Sequence, residues 1–123
     1  MRLLLDSHVL VWWDNGTPLS RGCVEAVCDA DEVYVSMAST WELTIKASAG
    51  RLRIPRPLPA ILADNGFLPL PILLEHTQQL ATLPHHHRDP FDRLLVAQAL
   101  AEGLTLVTRD PQLARYAVPL IAA

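Results

Sequence analysis

The sequence predicts an α/β three-layer sandwich, with a mainly parallel central sheet flanked by helices. Three observations predict it. Short strand-like runs alternate with helical stretches throughout the chain. Runs such as "RLLL" and "LTLVT" carry little polar alternation, as suits strands buried on both faces. Half of the 123 residues are apolar, enough for one core, so a single domain over residues 1–123 is expected.

The elements follow in order. "RLLL" (2–5) is the first strand, and Asp6 directly follows it. Residues 7–13 read as a helix with Val9, Val11, Trp12 and Trp13 on its apolar side, and "DNGTPLS" as a loop. Ser20 starts a helix over 20–30, and "EVYVS" (32–36) is a strand. "STWELTIKASAG" reads as a helix with Ser39 as N-cap and Gly50 as stop. "RLRIPRPLP" is basic, proline-rich and irregular; a short helix around 59–64 stops at "DNG". "FLPLPI" is extended, and its prolines demote it to an edge or irregular strand. Residues 74–82 form a helix. Residues 90–102 form the strongest one, ended by Gly103. "LTLVT" is a buried strand, "DPQLARYA" a short helix and "VPLI" the last strand.

The net charge of −3 gives no global basic footprint of a dedicated nucleic-acid binder, although a local one remains open. Cys23 and Cys28 make neither a disulfide framework nor a zinc signature. No leader pattern opens the chain, and no uncharged apolar run approaches the roughly 18 residues of a membrane span. A soluble cytoplasmic protein is the expectation.

In a parallel α/β sheet, ligands bind beyond the carboxyl ends of the strands, and four acids fall there or one turn into the following helix. They are Asp6, Glu42, Asp92 and Asp110. Each has a plain structural reading. Ser39 to Glu42 makes an S-x-x-E capping box, Asp89-Pro90 opens a helix with Asp92 as its third residue, Asp110-Pro111 repeats that device, and Asp6 can cap the first helix. Taken singly, these readings prevail. Taken together, four carboxylates at one sheet edge repel one another, and protonation or a divalent cation must relieve them. Hard oxygen donors without cysteine suit Mg2+ or Mn2+, the ions that phosphodiester hydrolysis uses to activate water and offset developing charge.

Four segments, "LLLDSHVLVWW", "VSMASTWELTIKASAGRL", "RDPFDRLLVAQAL" and "LTLVTRDP", resemble the PIN-domain nucleases, and closely the VapC toxins of bacterial toxin–antitoxin pairs. The resemblance runs from the first strand to the last. It implies a PIN-like fold and a Mg2+- or Mn2+-dependent endoribonuclease held inactive by a VapB-type antitoxin, with RNA as substrate and a homodimer as assembly. Position by position, it places metal ligation on Asp6, Asp92 and Asp110. Glu42 joins them at the metal and orients or helps deprotonate the attacking water. It also implies that the C-terminal part of the antitoxin covers the acids, with an arginine reaching them.

Other residues carry competing readings. His85, His86 and His87 are expected to be a solvated loop, since adjacent histidines do not easily face one ion; a phosphate contact is the alternative. Asp89 reads as the helix cap, with a water-mediated ligand as its second reading. Trp41 reads as core, while one of Trp12 and Trp13 is left for a partner groove. Lys46 either pairs with Glu42 at i,i+4 or holds the scissile phosphate. Arg51, Arg53 and Arg56 form a basic cluster for RNA or an acidic antitoxin segment, or simply a solvated loop. Arg93 faces the site or pairs with an acid, His8 lies at its rim or packs, and Ser7 and Thr108 can donate to the carboxylates. Two other functions compete. In an aspartyl-phosphate-type phosphatase, Asp6 would be the nucleophile, but His8 stands where that class has a second aspartate. The other is a non-catalytic PIN-like module that only binds a partner.

Overall fold

The computed structural model describes all residues 1–123. A five-stranded, wholly parallel sheet has the order β3-β2-β1-β4-β5, with β1 Arg2–Leu5, β2 Glu32–Ser36, β3 Leu68–Leu70, β4 Thr105–Thr108 and β5 Leu120–Ala122. The helices are α1 Ser7–Asn15, α2 Arg21–Asp29, α3 Met37–Ser48, α4 Leu58–Asn65, α5 Leu74–Leu80 and α6 Pro90–Glu102, and Pro111–Arg115 forms a 3-10 turn. The three-layer sandwich read from the sequence is the observed fold. No helix is long and apolar enough to cross a membrane.

Alternation along β1 divides the core. Leu3 and Leu5 face a cluster with Val9, Leu10, Cys23, Leu43 and Ile61, from α1 to α4. Leu4 faces the other way, into a cluster with Leu95, Val96 and Ala99 of α6 and with Leu106 and Leu113. β1 is therefore buried on both sides, which is why its leucines run without a polar break. Across the second layer, α5 is braced to α6 by buried His76. Its Nδ1 accepts the Leu73 N–H at 3.0 Å, and its Nε2 lies 2.8 Å from Glu102 Oε1.

The chain moves outward from β1 to β3, then returns to build β4 and β5 on the other side. The strand order thus reverses between β1 and β4, and the crevice at such a reversal is where open α/β sheets place ligands. Asp6 closes β1 on this edge, and Asp110 lies two residues beyond β4.

Several boundaries differ from the sequence reading. α1 continues through Asp14 and Asn15, and Gly16, at φ +79°, supplies the left-handed turn that stops it. The last strand is displaced to Leu120–Ala122. The largest correction is at α3. Ser36, not Ser39, caps it, accepting the Ala38 N–H at 3.0 Å. Ser39 lies inside the helix, buried, and its hydroxyl has no partner. The capping box therefore does not form, and the plain structural reading of Glu42 falls with it. Trp41 is 58 % exposed rather than core, and meets Phe91 edge-on with ring centres 5.2 Å apart.

Candidate active site

Asp6 both caps α1 and lines the crevice. Its Oδ1 accepts the His8 N–H at 3.4 Å, and its Oδ2 accepts from Thr108 Oγ1 at 2.7 Å. Ser7 Oγ donates to Glu42 Oε1 at 2.8 Å and lies 3.2 Å from Asp6 Oδ1, tying the end of β1 to α3. Glu42 is almost fully buried, and Lys46 Nζ stands 3.2 Å from its Oε2, one turn along the helix. The Asp110 backbone N–H donates to Thr108 Oγ1 at 3.1 Å, and Asp110 Oδ1 caps the following turn by accepting the Gln112 N–H. Thr108 and Ser7 therefore do what the sequence suggested, each bonding an acid.

Asp89 is the N-cap of α6, its Oδ1 accepting from Phe91 and Asp92 N–H, which leaves Asp92 projecting from the first turn. The four anticipated acids come together: Asp6, Glu42, Asp92 and Asp110, with Asp89, line one cleft of about 310 Å³ beside His8, Trp12, Lys46 and Arg109. A larger cleft, about 570 Å³ between Met37, Leu58, Leu62 and Phe67, is lined by no titratable group.

The charge balance of the acid cleft is unfavourable as it stands. Five carboxylates face two cations. Lys46 is taken by Glu42, while Arg109 lies over the Trp12 ring at 4.3 Å and donates to the carbonyls of Ala123 and Pro18 rather than to an acid. Burial, then the negative charges of Asp6 and Asp89, push the Asp92 carboxyl up to about 7; His87 opposes this and Glu42 adds to it. An all-oxygen, electron-rich donor set with too little positive charge fits a hard divalent cation.

The histidine run is not a solvated loop throughout. His85 is exposed, but the His86 ring meets Tyr116 edge-on at 5.1 Å. His87 folds inward. Its Nε2 hydrogen-bonds Asp110 Oδ2 at 3.1 Å and stands the same distance from Asp92 Oδ2. Its backbone N–H donates to the Tyr116 hydroxyl, which also accepts from Arg93. Arg93, whose other bond goes to the Pro84 carbonyl, thus neither faces the site nor pairs with an acid. No short-range pattern announces these contacts, because the partners of His87 and Tyr116 lie on different elements.

The basic cluster also divides. Arg56 is committed to Asp14 and Asp64 at 2.8 and 2.6 Å, whereas Arg51 joins Lys46 and Arg88 around a second cleft that shares Glu42 and Asp89 with the first. Trp13 donates from Nε1 to Asn65 and packs on Phe67, and Trp12 lines the acid cleft beside His8.

Known proteins share the sequence pattern and the fold. The PIN domain family model matches residues 3–119. Ribonuclease VapC22 of Mycobacterium tuberculosis (strain ATCC 25618 / H37Rv) is 31% identical over 129 residues, covering 95% of this chain and 93% of the relative. Among solved structures, VapBC2 from Rickettsia felis, bound to a DNA fragment from its promoter, superposes with a TM-score of 0.72 at 17% identity, covering 99% of this chain and 98% of that one. DNA-bound VapBC from Salmonella typhimurium gives 0.72 at 14% identity with the same coverage. FitAcB from Neisseria gonorrhoeae gives 0.65 at 19%, covering 98% and 96%. The structural likenesses carry the fold, and the family model and the sequence relative span nearly the whole chain: it belongs to the PIN-domain family, and within it to the VapC-type proteins.

Proposed function

We propose that this protein is a single-domain, metal-dependent endoribonuclease, the toxin of a type II toxin–antitoxin pair, acting in the cytoplasm on RNA phosphodiester bonds. The observation that carries the reading is the convergence of Asp6, Glu42, Asp92 and Asp110 on one cleft whose carboxylates outnumber their counter-charges, with Asp92 pushed up to about 7. The kinship with a ribonuclease VapC supports it.

Asp6, Asp92 and Asp110 would hold Mg2+ or Mn2+, with Glu42 beside them. When bound, the ion supplies Lewis-acid stabilisation of the phosphate and a water of lowered pKa. The remaining work belongs to the chain. Thr108 and Ser7 fix Asp6 and Glu42 by hydrogen bonds, so that neither acid must reorganise as charge develops. Glu42 orients the attacking water and takes its proton at Oε1 or Oε2, and Lys46, 3.2 Å from Oε2, holds the carboxylate in place for that role. Arg51, Arg88 and Lys46, around the adjoining cleft, track the RNA backbone.

A VapB-type antitoxin is the partner, its C-terminal part covering the acids with an arginine, and the toxin forms a homodimer. The solved VapBC complexes support the kind of partner. The deciding experiment is sequencing of RNA 5′ ends after induction, wild type beside Asp92→Ala. New ends are expected only with the wild type; identical patterns would sink the nuclease reading. A complex with the antitoxin bound solely on the opposite face would refute the proposed mode of inhibition.

A further inference from the structure

We infer that His87 is a positioning residue, which sets Asp110 against Asp92 so that the two carboxylates meet one cation together. This rests on the metal-binding reading above. The ring's two nitrogens have different partners. Nδ1 accepts the Asp89 backbone N–H at 3.2 Å, so it carries a lone pair and the hydrogen of the neutral ring sits on Nε2. That N–H donates to Asp110 Oδ2, with Asp92 Oδ2 equally near. The three ligand-type atoms lie within 4.8 Å of one another.

The ring cannot easily serve as a metal ligand itself. Binding through Nε2 would require the hydrogen on Nδ1, where it would oppose the Asp89 N–H. Nor does His87 line the acid cleft, although both acids do. A histidine that donates to candidate ligand carboxylates is well placed to fix their rotamers before the ion arrives.

The anchoring of the ring supports this role. The loop carrying it is pinned by the His87 backbone N–H on the Tyr116 hydroxyl, and Tyr116 is buried and also bonded by Arg93. Asp110, held at Oδ1 by the Gln112 N–H, has its other oxygen set by His87. It sits on the segment beyond β4, and its side chain is 32% exposed against 15% for Asp92. His76 provides an internal contrast. Its Nδ1 also accepts a backbone N–H and its Nε2 also points at a carboxylate, but there the geometry simply braces α5 on α6.

The test is Mn2+ titration of the metal-free protein at pH 7.5, with free Mn2+ read by electron paramagnetic resonance and folding checked by thermal melting. His87→Ala is expected to weaken binding by about tenfold, the lower end for residues that orient ligands. His87→Gln places an amide N–H near the Nε2 position and should recover most of the loss. His87→Asn keeps only an acceptor near the Nδ1 position, so it should not. Wild-type or tighter binding by His87→Ala overturns the inference. So does rescue by Asn but not Gln, which would mark His87 as a loop anchor alone. If His87→Ala fails to fold, the Gln and Asn pair decides between the same outcomes. Asp6→Asn separates the two levels: if it binds Mn2+ as wild type does, the metal reading fails and takes this one with it. If Asp6→Asn loses binding and His87→Ala does not, only the positioning role fails.

Discussion

Two groups of carboxylates, one at the Arg56 corner and one in the crevice beside β1, differ in a single respect. At the corner, Asp14 is held below the usual carboxylate range chiefly by the Arg56 guanidinium, with Asn65 adding a hydrogen bond against the cost of burial. Asp64 shares the same guanidinium. In the crevice, Asp92 has Asp6, Asp89 and Glu42 around it and is pushed up to about 7. Where acids tie α1 to α4, the fold supplies their cation. Where they line the crevice, only Glu42 has a cation, Lys46, and the rest of the charge is unanswered, so an external cation has free energy to gain there.

The largest effect expected from breaking this contrast is loss of activity. Asp6→Ala removes a carboxylate from the centre of the cleft, and purified protein should lose Mn2+ binding and at least about a hundredfold of its RNA cleavage rate, since a group acting on the metal serves every step. Retained cleavage would show that the crevice is not the active centre.

Next comes Asp92→Asn, read by thermal melting in EDTA. The folded pKa of Asp92 lies above the unfolded value of about 4, so the native state holds the proton more tightly. The metal-free protein should therefore lose stability as pH rises from about 4 to about 7, with the loss complete above that. Asp92→Asn should flatten the profile and raise the midpoint at pH 8. An unchanged profile would mean that Asp92 is not under charge stress.

Thr108→Val is nearly isosteric and deletes the donor to Asp6 Oδ2 and the acceptor of the Asp110 N–H. Both groups would be left short of a partner, and chemical denaturation should show a loss of about 1–3 kcal/mol. The smallest effect belongs to Arg56→Ala. Asp14, with its lowered folded pKa, contributes stability above the unfolded value of about 4, and that contribution fades as pH falls through the folded one. The variant should lower the melting midpoint slightly at pH 7 and less at high salt, because the ion pairs there are partly exposed and screened.

What the sequence made legible follows the range of the physics. The bounds of α6 were readable because their signals are local: Asp89-Pro90 opens the helix, and Gly103, at φ +66°, closes it. The four acids were readable because parallel strands deliver their ends to one edge. The start of α3 was not, since two serines compete as caps and the winner, Ser36, also ends β2. With that frame corrected, the buried stripe Ala38, Ser39, Glu42, Leu43 has helical spacing, and Trp41 falls off it. His87 was illegible for another reason. Its contact with Asp110 spans 23 residues and depends on Tyr116 holding a loop, which no pattern within a window reports.

The central place of β1 also has a consequence for synthesis. Leu3 to Leu5 pair on one side with Val33 to Val35, made soon afterwards, and on the other with Thr105 to Val107, about a hundred residues later. An emerging chain can therefore zip β1 to β2 and cover one face with α1 to α3 while the opposite edge of β1 stays open. Asp6 and Glu42 meet early, but Thr108 and Asp110 reach Asp6 only when β4 docks. Such long-range pairing is the slow part of folding. A ribosome-bound fragment ending before β4 thus carries Asp6, Glu42 and Asp92 but lacks Thr108 and Asp110, so the cleft is complete only after β4 has emerged and docked.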